Sequence, residues 1–382
     1  MRPRFFIILL LSVITLTACR NNDNVDSVDA LPSIHLNTKE WVNFNNYVLG
    51  EAVYNNDTLK AYFKLRGGNS VRYEKKSLSM DIGFDFPFNQ ETGTTRWILN
   101  ANYIDKTLMR HKIAYDLFKE MDATNKAANC SYIHLYRNGN YQGIYVLMQR
   151  LTEKTLAVQE GGYIFKEPDV FRENIHPIPL KTQKYPERTD STAIKELIDF
   201  QHFLHLSDQG VFDAKIFEHL DLQSFADWYL LLLFSNNGDG VLKNFYLYKT
   251  DENTKIRIAP WDYDHSWGRD GDNEKNTVPD IGEQRSVLFQ KLLKNEVFLS
   301  YTAERWKEHQ KNNVLTLSNF TQHVENNTAL FVDDLEKNTK LWPHDANWYF
   351  DNSGFEKELE LMKAFVQDNH QRLESRFSGS LY

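Results

Sequence analysis

Four of the chain's ten prolines fall between Glu167 and Arg188, at Pro168, Pro177, Pro179 and Pro186, and the residue pattern differs in kind on either side of them. Proline gives no amide proton to a ladder and clashes with a preceding helical turn, so this stretch reads as a crossing or long surface loop between two parts of the molecule. Before it, from about Trp41 to Lys166, short runs alternate apolar and polar residues. Leu59 to Leu65 does so cleanly and Ser77 to Phe84 less regularly, the period of a half-buried strand. Tyr132 to Tyr136 and Gln142 to Gln149 flank Asn138-Gly139, which suits a tight hairpin turn. Gly162 to Lys166 adds another short strand. One helix interrupts: Asp105 as N-cap, with Leu108, Met109, Ile113, Leu117 and Met121 on one stripe, predicts it from Lys106 to about Met121. Behind the prolines, Thr192 to Leu206 and Ser224 to Phe234 repeat at helical spacing. Two strand-like runs follow, Phe245 to Lys249 and Lys255 to Pro260, and most of Ser286 to Phe377 reads as helix. The layout is α+β, with a strand-rich N-lobe (35–170) holding one helix and a helical C-lobe (171–382).

The first residues stand apart from that layout. Arg2 and Arg4 precede an apolar run, Phe5 to Leu16, too short to span roughly 30 Å of hydrocarbon but the size of a signal-peptide core. Leu16-Thr17-Ala18-Cys19 resembles a bacterial lipobox, which implies that residues 1–18 are removed and that Cys19 is acylated. Residues 19–34, rich in Asn and Asp and without periodicity, then read as a flexible tether. By resemblance to lipoprotein sorting rules, Arg20 after the cysteine implies the outer membrane or cell surface. That leaves Cys130, expected as a small buried apolar residue; two cysteines build no disulfide framework. A formal charge of −8, with no basic stretch, argues against nucleic acid as a partner.

The densest polar constellation is Asn236-Asn237-Gly238-Asp239-Gly240-Val241-Leu242-Lys243-Asn244, between a very apolar helix and a strand. Asp239 and Asn244 stand five apart, and Pro260-Trp261-Asp262-Tyr263-Asp264-His265-Ser266-Trp267-Gly268 follows two strand-like runs later. Phosphoryl transfer needs a carboxylate to orient and deprotonate an attacking hydroxyl, and oxygen ligands for one or two divalent ions. Those residues supply the roles in order. Upstream, Arg66-Gly67-Gly68-Asn69-Ser70 forms a glycine-rich loop, a strand carries Lys75 and Lys76, and the helix carries Asp116 and Glu120. A glycine loop over phosphates, a lysine on them and a helix acid to pair that lysine is the kinase order. Taken singly, each feature has a plainer explanation: a hairpin turn at Asp239-Gly240, a solvated lysine edge, a surface acid.

Longer segments carry a family resemblance. Arg66 to Ser70, Lys75-Lys76-Ser77, Trp97-Ile98-Leu99-Asn100, Asn102 to Arg110, Gly139 to Tyr145, Asp239 to Asn244 and Trp261 to Asp264 together resemble the spore coat protein H (CotH) kinase family. The resemblance covers roughly residues 60 to 270 and implies an atypical protein-kinase-like bilobal fold that uses ATP with Mg2+ or Mn2+ to phosphorylate Ser or Thr in proteins. It implies Asp239 as catalytic base, Asn244, Asp262 and Asp264 as metal ligands, and Lys76 on the phosphates under the Arg66, Gly67, Gly68, Asn69 and Ser70 loop. Asp116 or Glu120 would pair Lys76, and Lys166 matches the family pattern as a further nucleotide-site residue. The acidic chain favours a basic protein acceptor. The second reading is a non-catalytic surface lipoprotein, a pseudokinase or a glycan- or partner-binding module.

Overall fold

The structure, a computed structural model, describes residues 31–88, 94–271, 274–344 and 351–378. The leader, Cys19 and most of the tether lie outside the described residues. Residues 31 to 382 form one compact unit with two hydrophobic cores.

The first core is the inside of a closed barrel. Its strands are β1 (Ser33–Thr38), β2 (Val48–Tyr54), β3 (Asp57–Arg66), β4 (Ser77–Asp81), β5 (Arg96–Asn100), β6 (Cys130–Arg137) and β7 (Asn140–Gln149). They follow the order β1-β2-β3-β4-β5-β7-β6, and the ring closes where β1 runs parallel to β6 with Ile34 opposite Leu135. Alternation puts Leu59, Ala61 and Phe63 of β3 inside, with Leu36, Met80, Leu99 and Leu147 from neighbouring strands. The hairpin at Asn138-Gly139 forms as expected, with φ of 45° and 77°. Strands β6 and β7 are apolar on both faces because their outer residues, Tyr132, Ile144, Val146 and Met148, join the second core.

Helix α1 (Arg110–Met121) lies between β5 and β6 in sequence. It begins four residues later than the sequence suggests. Leu108 takes φ 62°, outside the helical region, while the Asp105 carboxylate accepts from the amides of Thr107 (3.0 Å) and Arg110 (2.9 Å). Asp105 therefore caps a tight turn ahead of the helix.

The second part is built on the strand order β11-β10-β8-β9, from β8 (Tyr163–Lys166), β9 (Gln183–Tyr185), β10 (Phe245–Lys249) and β11 (Arg257–Pro260). Strand β8, grouped above with the front half, pairs with β10 instead, Lys166 opposite Tyr246. Around this sheet lie α2 (Thr192–Leu206), α3 (Gln209–His219), α4 (Leu222–Ser235), α5 (Val287–Leu292), α6 (Glu296–Lys311), α7 (Leu317–Leu341) and α8 (Phe355–Ser378). Helix α3 has no counterpart in the sequence reading, since it buries only Phe212 and Ile216 and shows little periodicity. Helix α4 is mostly apolar and is buried from Ser224 to Ser235, its Asp227 paired with Arg305 and His309. A small hairpin, β12 (Gly268–Asp270) with β13 (Glu274–Asn276), follows the last sheet strand. Cys130 is buried, its Sγ 3.7 Å from the Ala128 carbonyl. No described helix is long and apolar enough to cross a membrane.

Candidate active site

A cleft of about 690 Å³ brings together the Arg66 to Ser70 loop, Lys166, Asp239, Asn244, Asp262 and Asp264. The loop leaves β3 through Gly67 at φ 141°, where an added Cβ would lie 2.4 Å from Ser70 Oγ, so only glycine fits. Asn69–Arg72 then forms a short 3-10 turn.

Two residues assigned to nucleotide contact lie elsewhere. Lys76 does not line the cleft; its Nζ donates to the carbonyls of Val71 (2.7 Å) and Tyr73, closing its own loop from beneath. Lys75 lines the cleft in its place, but its amine is buried against Ile144 O (2.5 Å) and lies 4.6 Å from the Tyr145 ring centre. Burial lowers that amine to about 7. Glu120 pairs with His323 (3.0 Å) and Asn319 (2.8 Å) on α7, and Asp116 with Lys112 (2.6 Å) and Lys119 (3.2 Å). Neither acid meets Lys76. The end of α1 that faces the cleft is its first turn, and Glu120 sits about 15 Å further along the axis.

The loop after α4 is held from several sides. Asn236 ends the helix in the left-handed region, and Asn237 Oδ1 accepts from the Gly240 amide at 3.0 Å. Gly240 packs closely on α4: a Cβ there would come within 2.4 Å of Leu232 Cδ2, which would have to shift. Arg285 donates to the Gly238 carbonyl (2.6 Å) and the Ile281 carbonyl (2.9 Å), fixing the residue before Asp239. The Asp239 carboxylate meets Lys243 Nζ at 2.9 Å and His265 Nδ1 at 3.4 Å. Burial works against its charge, but His265 and Lys243 together hold its pKa below the ordinary carboxylate value.

Asn244 and Asp262 adopt φ of 62° and 58°, conformations that cost a non-glycine residue free energy and collect at functional sites. Asn244 Nδ2 donates to the Asp262 carbonyl (3.1 Å), and the Asp262 amide donates to Tyr115 Oη (2.9 Å). The Asp262 side chain is 51% exposed, opening into the cleft, and its Oδ1 lies 3.1 Å from His111 Nε2. Although partial desolvation inside the cleft opposes it, that imidazole, with the more distant charges of Lys166 and Arg66, keeps Asp262 far below the usual carboxylate range. Asp264 shifts the other way, raised by burial and by the neighbouring Asp262 charge. His265, despite its burial, is raised to about 9 by the carboxylates of Asp264, Asp239 and Asp262. One donor atom each from His111, Asp262 and Asp264 lies within 4.8 Å of the others, so these residues fit a divalent cation.

His111, Lys243, His265 and Arg285 are the site residues that sequence reasoning missed. Lys243 and His265 stand inside the two motifs singled out there, one residue before Asn244 and one after Asp264. His111 carries no such mark; it stands off the apolar stripe read for the helix, and only the fold buries it.

The profile of the CotH kinase protein family matches residues 63–373 of this chain. Inner spore coat protein H of Bacillus subtilis (strain 168) is 22% identical over 325 residues, covering 82% of this chain and 86% of that protein. Among solved structures, the Helicobacter pylori proinflammatory kinase CtkA aligns over 89% of this chain and 94% of that one, with 13% identity and a TM-score of 0.29.

Proposed function

Since the chain belongs to the CotH kinase protein family, we propose that it is a protein Ser/Thr kinase that moves the γ-phosphate of ATP to a protein hydroxyl with the help of Mg2+ or Mn2+. The observation that carries this reading is the meeting of Asp239, Asn244, Asp262 and Asp264 with a glycine-turned loop in one cleft.

Asp239, kept ionised by His265 and Lys243, accepts the proton of the acceptor hydroxyl as its oxygen bonds to phosphorus and the bond to the ADP oxygen breaks. Arg285 and Asn237 fix the backbone on which Asp239 sits, which sets its aim. Asp262, Asp264 and Asn244 would hold the divalent ion; when bound, it neutralises phosphate charge. The 66–70 loop and Lys166 line the same space and would bind and orient the phosphates.

In this reading the enzyme is tethered to the cell envelope through Cys19, on the outer membrane or cell surface, and acts on basic Ser- or Thr-containing proteins. Incubating the protein with labelled ATP, Mg2+ or Mn2+ and a basic Ser-rich acceptor tests the chemistry. Transfer by the wild type that is lost in Asp239→Ala and Asp262→Ala is the expected result; no transfer, or equal transfer by all three, overturns it. The non-catalytic reading draws on the commitment of Lys76 and Glu120 to partners outside the cleft. Tight nucleotide binding without any transfer would favour it.

A further inference from the structure

Sequence reasoning puts only oxygen donors around the ion, but the fold adds a nitrogen. His111 is the second residue of α1, and its Nε2, 3.1 Å from Asp262 Oδ1, belongs to the triplet of donor atoms spanning at most 4.8 Å. Adjacent ligands of an octahedral ion with bonds of about 2.1 Å stand about 3 Å apart, and opposite ones about 4.2 Å. The triplet is thus within about 0.6 Å of the width of one coordination shell, a gap that side-chain rotation closes. We propose that His111 is a ligand of this centre and that its imidazole makes the centre take Mn2+ in preference to Mg2+.

Three features hold the ring for that role. It is 3% exposed and packs edge-on against Tyr115, with centroids 6.0 Å apart at 78°. Tyr115 also accepts from the Asp262 amide, so one turn of α1 fixes both the nitrogen and the carboxylate. Arg110, the preceding residue, donates to the Ser266 carbonyl (3.0 Å) and pairs with Asp105, which clamps that turn to the segment bearing Asp262 and Asp264. Nδ1 is buried without a hydrogen-bond partner, so the ring's polar commitment is the Nε2 side facing the acids. Mg2+ keeps its water and prefers oxygen, whereas an imidazole suits first-row transition ions. The plainer alternative is that His111 only pairs with Asp262.

The inference rests on Asp262 and Asp264 holding metal and not on phosphoryl transfer, so the test omits nucleotide. Mn2+ binding to the full-length protein in detergent is followed by electron paramagnetic resonance, with Mg2+ as competitor. In the wild type, the pulsed spectrum of bound Mn2+ shows coupling to an imidazole nitrogen, and this coupling is absent in His111→Asn. His111→Asp, an all-oxygen set, lowers the preference for Mn2+ over Mg2+ by about tenfold or more. A wild-type spectrum without nitrogen coupling, unchanged preference in a folded His111→Asp, or no Mn2+ binding by the wild type overturns the proposal. A protein that binds Mn2+ through His111 yet phosphorylates nothing upholds it while the kinase reading falls.

Discussion

Glu358, on helix α8, holds Arg269 through both carboxylate oxygens, Oε2 accepting from Nε at 3.1 Å and Oε1 from a terminal nitrogen. Arg269 stands five residues after Asp264, so the C-terminal helix is tied to the segment that follows the cleft acids. The pair belongs to a buried set in which Lys106, Arg110 and Arg269 face Asp105, Asp351 and Glu358. Removing one charge leaves the rest uncompensated in low dielectric. Glu358→Gln is expected to cost about 3–5 kcal/mol in urea denaturation, and replacing both partners, Arg269→Met with Glu358→Leu, considerably less than the single change. Equal losses would mean that the pair does not act as one unit.

Asp239→Asn keeps the shape of the side chain but cannot take a proton. Turnover should fall by about 10²–10⁴-fold while the KM for ATP changes little, because the lost step is proton transfer from the acceptor and not nucleotide binding. Steady-state kinetics with ATP and acceptor varied separately provide the check.

Lys76 and Lys166 separate in their effect on nucleotide. The Lys76 amine closes its own loop, so Lys76→Ala should weaken binding of a non-hydrolysable ATP analogue by no more than the value of a hydrogen bond, about 1 kcal/mol. Lys166 faces the cleft beside Glu167 (3.3 Å), and Lys166→Ala should weaken binding tenfold or more, since it removes a cation from the phosphate space; the factor is roughly 1.4 kcal/mol. Calorimetry that ranks the two variants the other way round would restore Lys76 to the phosphates.

Lys75 gives the fold a pH dependence. Its amine titrates near 7 when buried, against 10.5 in the unfolded chain. Between those values the unfolded chain binds more protons, so stability rises as pH rises, and below about 7 the full penalty is present. The span corresponds to roughly 5 kcal/mol. Relative to Lys75→Met, which carries no titrating group, the wild type should gain denaturation free energy from about pH 7 to pH 10. A constant difference between the two proteins would refute the assignment.

The sequence signals that survived were periodic or clustered. Alternation at Leu59 to Leu65 and the Asn138-Gly139 turn follow from local chemistry, and both stand in the barrel. Asp239, Asn244, Asp262 and Asp264 were legible because they flank strands β10 and β11, which pair antiparallel and bring Phe245 opposite Pro260, so the two motifs meet by register. What could not be read depended on packing between distant segments. Nothing local decides whether Lys75 or Lys76 turns inward, or that α1 presents its first turn and not its last to the cleft. The pairing of Glu120 with His323 spans two hundred residues, and no spacing rule reaches that far. Strand β8 was assigned to the wrong part of the molecule for the same reason: its sequence says strand, but only its partner says which sheet.

Strand β1 is bonded along both edges, antiparallel to β2 and parallel to β6. Were the protein held at Cys19, any pull on the anchor would enter the folded body at Ser33, along the axis of that strand. Such a load is met lengthwise by two ladders sharing the strain, rather than peeled open one bond at a time. The attachment point would then be a strand secured on both edges, two ladders away from Arg66 at the end of β3, where the cleft begins.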